Sequence, residues 1–326
     1  MIDRSDGAPD GHAAEMHPQL MSSAVAQGGV FTVQQARDAG YTDDEMRARL
    51  GSGRWIRVRH GIYRPAGVVD EFRLATAAAL LACARSDPVA SHRSAAVLLD
   101  LPLLDRPRVP ELTLAERSAT TSVKGCVIHR ERVPAGERVA TQGIRSTNAA
   151  RTVVDLARTL SFAEAVVVAD AALGAVLATP QQLAAAAAAV RGRPTYARMQ
   201  RVLDFSTDRS ASPGESLART MFAQHGLPAP LLAQPIVVGG LVIAEVEFLW
   251  QEMRTIGEFD GRVKYLPGND RGDDVLWQEK LREERLREAG FEVVRMTWAQ
   301  VTREPHETCR RIRAAFGRQQ RTLAAG

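Results

Sequence analysis

The sequence predicts an α+β protein of several domains: an N-terminal winged helix-turn-helix, an α/β middle region, and a C-terminal small mixed sheet flanked by helices. Three observations predict it. Two short helices with their own capping signals precede a basic hairpin between Phe31 and Pro65. The stretch DFSTDRSASPGES, 204–216, breaks the composition. Beyond it the pattern reads helix, three strands, helix, strand. A chain of 326 residues has room for two or three domains.

The elements follow in order. Residues 1–15 have no apolar pattern and read as a loose tail. A first helix covers Pro18 to Ala26. In FTVQQARDAG, Thr32 caps and Gln35 stands three later, the capping-box spacing, with Gly40 at the stop. YTDDEMRARLGSG repeats the device with Thr42, Glu45 and Gly51. Two capped helices joined by a glycine turn are a helix-turn-helix pattern. WIRVRHGIYRP folds as two strands at His60-Gly61, a wing, so that 16–68 forms one domain. In the middle domain, 69–205, Leu74 to Ala84 is helical and Ser91 caps another helix. ELTLAE and GCVIHRE are strands, and Asn148–Arg158 and Phe162–Val176 are helices. His92 and His129 read as capping or surface residues. A linker at 206–213 leads to a domain at 214–318, with helices 214–225 and 275–289, strands 234–238 and 291–297, an acidic hairpin, and a last helix ending near 318 before a tail, 319–326.

Charge is distributed unevenly. Net charge is +4, yet six arginines, one histidine and no acid lie between Arg47 and Arg64. That is the footprint of a polyanion-binding surface. The second helix of the pair presents Arg47 and Arg49, and the wing carries Arg54, Arg57, Arg59 and Arg64. Arg57 and Arg59 share a strand face by alternation. The guanidinium fork suits phosphate oxygens. Three scattered cysteines give neither a disulfide framework nor a thiolate zinc site, so no zinc is expected. A reducing cytoplasm and no membrane partner fit this composition.

Between Glu245 and Asp260 there are five acids and one arginine. Val246, Phe248 and Trp250 alternate with Glu245, Glu247 and Leu249, and Ile256, Glu258 and Asp260 alternate with Gly257 and Phe259. With a turn at Gln251 to Arg254, Glu247 faces Glu258 and Glu245 faces Asp260. Like charges directly opposite destabilise a sheet. Such a chain holds a cation there, shares a proton among the acids, or leaves them on a wet face.

GGVFTVQQARDAGYTDDEMRARLGSGRWIRVRHGIYRP resembles the N-terminal winged-helix domain of AbiEi-type antitoxins from type IV toxin–antitoxin systems. SHRSAAVLLDLPLL through IRSTNAARTVVDLA is similar to the domain that follows in them, so the resemblance spans about 17–175. It implies a transcriptional regulator bound to double-stranded DNA, with Arg47, Arg49, Arg54, Arg57 and Arg59 as contacts, and a cognate toxin protein as a further partner.

The C-terminal third is similar to the endonuclease-like domain of very-short-patch repair enzymes, within the PD-(D/E)xK superfamily. The phrases are ES at 215–216, EVEFLW at 245–250, GEFDG at 257–261 and QEKLREERLREAGFEVVRMTW at 278–298. The resemblance implies a restriction-endonuclease-like fold and Mg2+ held by Glu215, Glu247 and Glu258. Glu247, Glu258 and Lys264 would be catalytic, and Arg282 and Arg285 phosphate contacts. The sequence departs from the pattern: Glu247 replaces an aspartate, and Asp260 stands where a lysine is usual. Glu215 is also explained as part of a capping box with Ser212 and Pro213. Two readings stay open: a DNA-binding regulator with a nuclease-like domain, and a magnesium-dependent endonuclease targeted by its winged helix.

Overall fold

The structure, a computed structural model, describes residues 16–67, 70–115, 117–120, 122–260 and 271–325. The expected tail at 1–15 and Lys264 lie outside the described residues. The chain divides into two compact units, one ending at Leu156 and the other beginning at Ala157.

The first unit opens with α1 (Pro18–Val25), β1 (Phe31–Thr32), α2 (Val33–Asp38), α3 (Asp43–Gly51), β2 (Trp55–Arg59) and β3 (Ile62–Pro65). The three strands form a sheet in the order β1-β3-β2. That chain order with a small sheet is a winged helix-turn-helix. Both expected capping boxes are present: Thr32 with Gln35 and Thr42 with Glu45. Leu20, Phe31, Met46, Trp55 and Tyr63 make a core beneath the helices. Phe31 meets Trp55 edge-on at 4.8 Å between ring centroids.

The unit continues through α4 (Glu71–Ala82), β4 (Val89–Ala90), α5 (His92–Leu98), β5 (Glu111–Leu114), β6 (Val127–Arg130), β7 (Arg138–Thr141) and β8 (Ile144–Thr147). A mixed five-stranded sheet runs β6-β5-β4-β8-β7, with β5–β6 and β4–β8 parallel. Leu112 and Leu114 join Leu80, Leu98 and Ile144 in its core. Ser91 precedes α5 as expected, but its side chain makes no cap bond, and its hydroxyl accepts from Thr113 instead. Arg151, on α6 (Ala149–Thr159), is 1% exposed and pairs with Glu131, Glu137 and Asp155 at 2.8–3.0 Å.

The second unit takes in α7 (Phe162–Gly174), α8 (Pro180–Ala189) and α9 (Tyr196–Phe205), helices that the sequence assigned to the middle domain. The reason is a buried polar staple. Asp170 of α7 accepts from Ser216 and Arg219 of α10 (Pro213–Gln224), each at 2.7 Å, and from the Thr207 N–H at 2.8 Å. Arg219 also donates to the Phe205 carbonyl at 2.7 Å. The expected linker at 206–213 is therefore bonded within this unit.

Next come β9 (Leu231–Val238), β10 (Leu241–Trp250), β11 (Thr255–Asp260), α11 (Arg271–Glu288), β12 (Glu292–Thr297), α12 (Trp298–Arg303) and α13 (Pro305–Ala325). The sheet order is β12-β11-β10-β9, with only the β11–β12 pair parallel. One core holds Phe222, Phe248, Trp250, Met296 and Phe316; another holds Val246, Leu249, Ile256 and Leu286. The last helix runs to Ala325, past the end expected at 318. Nothing in RQQRTLAA breaks a helix, and most of it favours one.

Candidate functional site

The cationic surface of the first unit is built by α3 and β2–β3. Arg47, Arg54 and Arg57 are exposed, and Arg49 is half-buried. Arg49 lies over the Tyr41 ring at 4.5 Å, and Arg57 over Tyr63 at 5.9 Å, contacts that restrain their heads. Arg47 pairs with Asp44 at 2.8 Å between two well-exposed side chains, an ion pair easily traded for another anion. Arg64 is buried and donates to the Pro65 and Gly67 carbonyls, a structural use.

Arg57 and Arg59 do not share a face. Arg57 pairs with Tyr63, but Arg59 pairs with Ile62, so β2 has one extra residue at a bulge. Tyr63 and Ile62 belong to different cores, and Arg59 follows Ile62. Its guanidinium donates to the Lys124 carbonyl at 2.8 Å and to Cys126 Sγ at 3.1 Å. No sequence signal marked the bulge.

In the second unit the hairpin register is the expected one. Phe248 pairs with Gly257, Leu249 with Ile256, and Trp250 with Thr255. The expected alternation, however, breaks at Glu247: Val246 lies in one core and Phe248 in the other. Across on β9, Ala233 has φ +48°, a twist that accompanies the break. Glu247 then turns its carboxylate onto the Phe259 N–H. The four acids therefore do not line one face.

Glu258 is buried and directed towards α11. Arg282 binds both of its oxygens, and Arg295, its register partner on β12, approaches at 3.9 Å. Arg282 also donates to the Glu245 carbonyl at 3.2 Å. Glu215 sits in the first turn of α10, where its N–H donates to Ser212 Oγ and its carboxylate accepts from the Ala211 N–H at 2.9 Å. Gly214 brings that turn against the hairpin: a Cβ there would lie 2.0 Å from Phe259 Cε1. Burial pushes the Glu247 carboxyl up to about 7, and the charges of Glu215 and Glu258 add to the rise. Glu245, Asp260 and Arg285 are exposed.

Three acids are thus brought into one neighbourhood, but they do not fit Mg2+ as arranged. Magnesium needs hard oxygens directed at one point. Both Glu258 oxygens engage Arg282, and Glu215 and Glu247 turn oxygens onto backbone N–H groups. Among the described residues, these acids do not form a set of three mutually adjacent ligand atoms.

Residues 18–66 match the family described as "Transcriptional regulator, AbiEi antitoxin". The matching segment is the winged unit. The chain is similar to the uncharacterized proteins Rv2248 and MT2308 of two Mycobacterium tuberculosis strains, each 28% identical over 286 residues, covering 83% of this chain and 96% of theirs. It also matches the crystal structure of the RV2827C protein from Mycobacterium tuberculosis at 16% identity and a TM-score of 0.40, covering 69% of this chain and 90% of that one. No helix among the described residues is long and apolar enough to cross a membrane.

Beyond the matching segment, the structure gathers two histidines that the sequence left as capping or surface groups, together with Glu111. His92 is 5% exposed and Glu111 6%, and His129 Nε2 lies 3.1 Å from Glu111 Oε2. The residues come from α5, β5 and β6 and are far apart in sequence. No local spacing motif advertises them, and only the strand pairing brings them together.

Proposed function

We propose that this protein is a DNA-binding transcriptional regulator of the AbiEi antitoxin type. The observation that carries the proposal is the exposed set Arg47, Arg54 and Arg57 on a doubly capped helix pair and its wing, inside the AbiEi-matching segment. In this reading α3 enters the major groove and the wing follows the backbone. Arg49, restrained against Tyr41, is aimed from the same helix. Arg59 supports the wing rather than touching DNA. Double-stranded DNA is the primary partner, a cognate toxin protein the second, and the cytoplasm the place of action.

The C-terminal unit supports an endonuclease-like fold through its order α10-β9-β10-β11-α11-β12 around a mixed sheet. In the proposed regulator this fold acts without hydrolysis, because guanidinium groups hold the place that a metal would take beside Glu258. Two assays of the full chain test the reading. A labelled duplex from its own promoter region should shift at nanomolar to micromolar protein, with affinity falling steeply as salt rises. A plasmid incubated with the protein and Mg2+ should stay uncut. Nicking that disappears in Glu258→Ala would replace the regulator with the endonuclease reading.

A further inference from the structure

We propose that His92, Glu111 and His129 form a binding site for a divalent transition cation of the zinc class, independent of the carboxylate cluster in the second unit. One ligand atom from each of the three lies within 4.8 Å of the other two, and among the described residues this is the set that meets that condition. The donor chemistry is specific. Two imidazoles and one carboxylate suit zinc, cobalt or nickel, and a magnesium ion poorly. A three-ligand set of this composition leaves a fourth position for water or another ligand.

The fold builds the site deliberately. Thr113 pairs with Ala90's neighbour Val89 on one side and with His129 on the other, so β5 holds the strand that bears His129 beside the elbow that bears His92. Glu111 and Thr113 alternate with Leu112 and Leu114, which enter the apolar core; the acid is thereby left on the opposite face of β5. His92 opens α5 with φ +50°, a conformation unusual for a residue with a side chain. Strain of that kind persists where the surroundings over-determine it, and it gathers at functional sites. The His92 and His129 rings stack at 3.5 Å with planes 12° apart.

Outer partners orient His92 and Glu111 as they do in metal sites. Ser91 Oγ lies 3.0 Å from His92 Nδ1 and accepts from Thr113 at 2.7 Å. Arg93 approaches Glu111 Oε1 at 3.3 Å, while the other oxygen faces His129. Ser94 Oγ accepts from the Glu111 N–H at 2.7 Å and fixes the start of β5. In tetrahedral zinc, bonds of roughly 2.0–2.1 Å put donors about 3.4 Å apart. The His129–Glu111 separation of 3.1 Å is already close to that edge. Imidazole lone pairs lie in the ring planes, so both stacked rings turn out of the stack to meet at one ion.

The test uses the full chain, stripped with a chelator, dialysed, and titrated with Zn2+ and Co2+. One equivalent of Co2+ should bind and give the visible d–d absorption of a low-coordinate ion, displaced by Zn2+. Zn2+ should also raise the thermal midpoint. His129→Gln and Glu111→Gln, which keep size and hydrogen-bonding capacity, should weaken uptake at least 100-fold, with the far-ultraviolet spectrum unchanged. His225→Gln, at the other close histidine pair, should leave uptake as in the wild type. Failure of the wild type to take up either metal, or stoichiometric uptake by the His129→Gln Glu111→Gln double variant, overturns the proposal. The duplex-binding assay is read separately, so a failure here leaves the regulator reading standing.

Discussion

In the wing, Arg54 and Arg57 stand exposed at the edge of a small sheet; in the acidic hairpin, Glu258 is buried against Arg282 and Arg295. Both regions concentrate charge of one sign, and they resolve it differently. The wing leaves its charge at the surface, where water solvates it and a polyanion can replace counterions. The hairpin neutralises its charge internally, through guanidinium partners for Glu258 and proton retention by Glu247. Exposed like charge is a binding surface; buried like charge is first a stability problem that the fold must solve.

Removing the solution at the hairpin should have the largest effect. Arg282→Ala removes the guanidinium that binds both oxygens of the buried Glu258, while Arg295 approaches at 3.9 Å. Breaking one side of a buried ion pair costs about 3–5 kcal/mol, and the partial exposure of Arg282 places this case near about 3 kcal/mol. The urea midpoint of the full chain measures it. A loss comparable to that of an exposed arginine such as Arg285 would mean that Glu258 is compensated by something else.

Glu247 sharpens the comparison through pH. Its carboxyl is held up to about 7 in the fold, against an ordinary 4.5. The native state therefore binds this proton more tightly than the unfolded chain. The resulting stability is fully present below about pH 4.5 and is lost as pH rises through about 7. The difference amounts to at most about 3 kcal/mol. Glu247→Gln keeps an acceptor for the Phe259 N–H and cannot ionise. It should match the wild type near pH 4.5 and exceed it by about 2 kcal/mol at pH 8. Parallel stability curves for the two proteins would show that Glu247 ionises freely in the fold.

The sequence made one half of this contrast more readable than the other. Caps at Thr32 and Thr42, the turn at 251–254 and the hairpin register were legible because each rests on local backbone chemistry. The break at Glu247 was not, because the alternation of Val246, Phe248 and Trp250 is intact in the sequence and fails only when two cores compete for the strand. The two remedies for crowded acids were foreseen as a cation or a shared proton. Beside Glu258 the structure places the guanidinium of Arg282, and nothing in the spacing of Arg282 and Arg285 decides which one reaches it. Likewise, the boundary at Leu156 depends on Asp170 meeting Arg219, residues of ordinary amphipathic helices.

On the wing, the double variant Arg54→Ala Arg57→Ala should weaken duplex binding and leave stability nearly unchanged. Each phosphate contact contributes about 0.9 to the slope of log affinity against log salt, so two lost contacts should lower that slope by roughly 2. An unaltered slope would remove the wing from the interface and leave α3 alone to carry it.

Arg59 makes the finest cut, because it lies two residues from Arg57 and differs only through the bulge. Its bonds to the Lys124 carbonyl and Cys126 Sγ place its charge against protein. Arg59→Ala should cost about 1.5 kcal/mol in stability, the low end for hydrogen bonds from a charged donor, and leave the salt slope as it is. Arg57→Ala should do the reverse. If both variants lower the slope equally, the arginine at 59 leaves Cys126 when DNA arrives, and the wing's two charges act as one surface after all. If only Arg57→Ala does, a single inserted residue in β2 has divided adjacent basic positions between recognition and support.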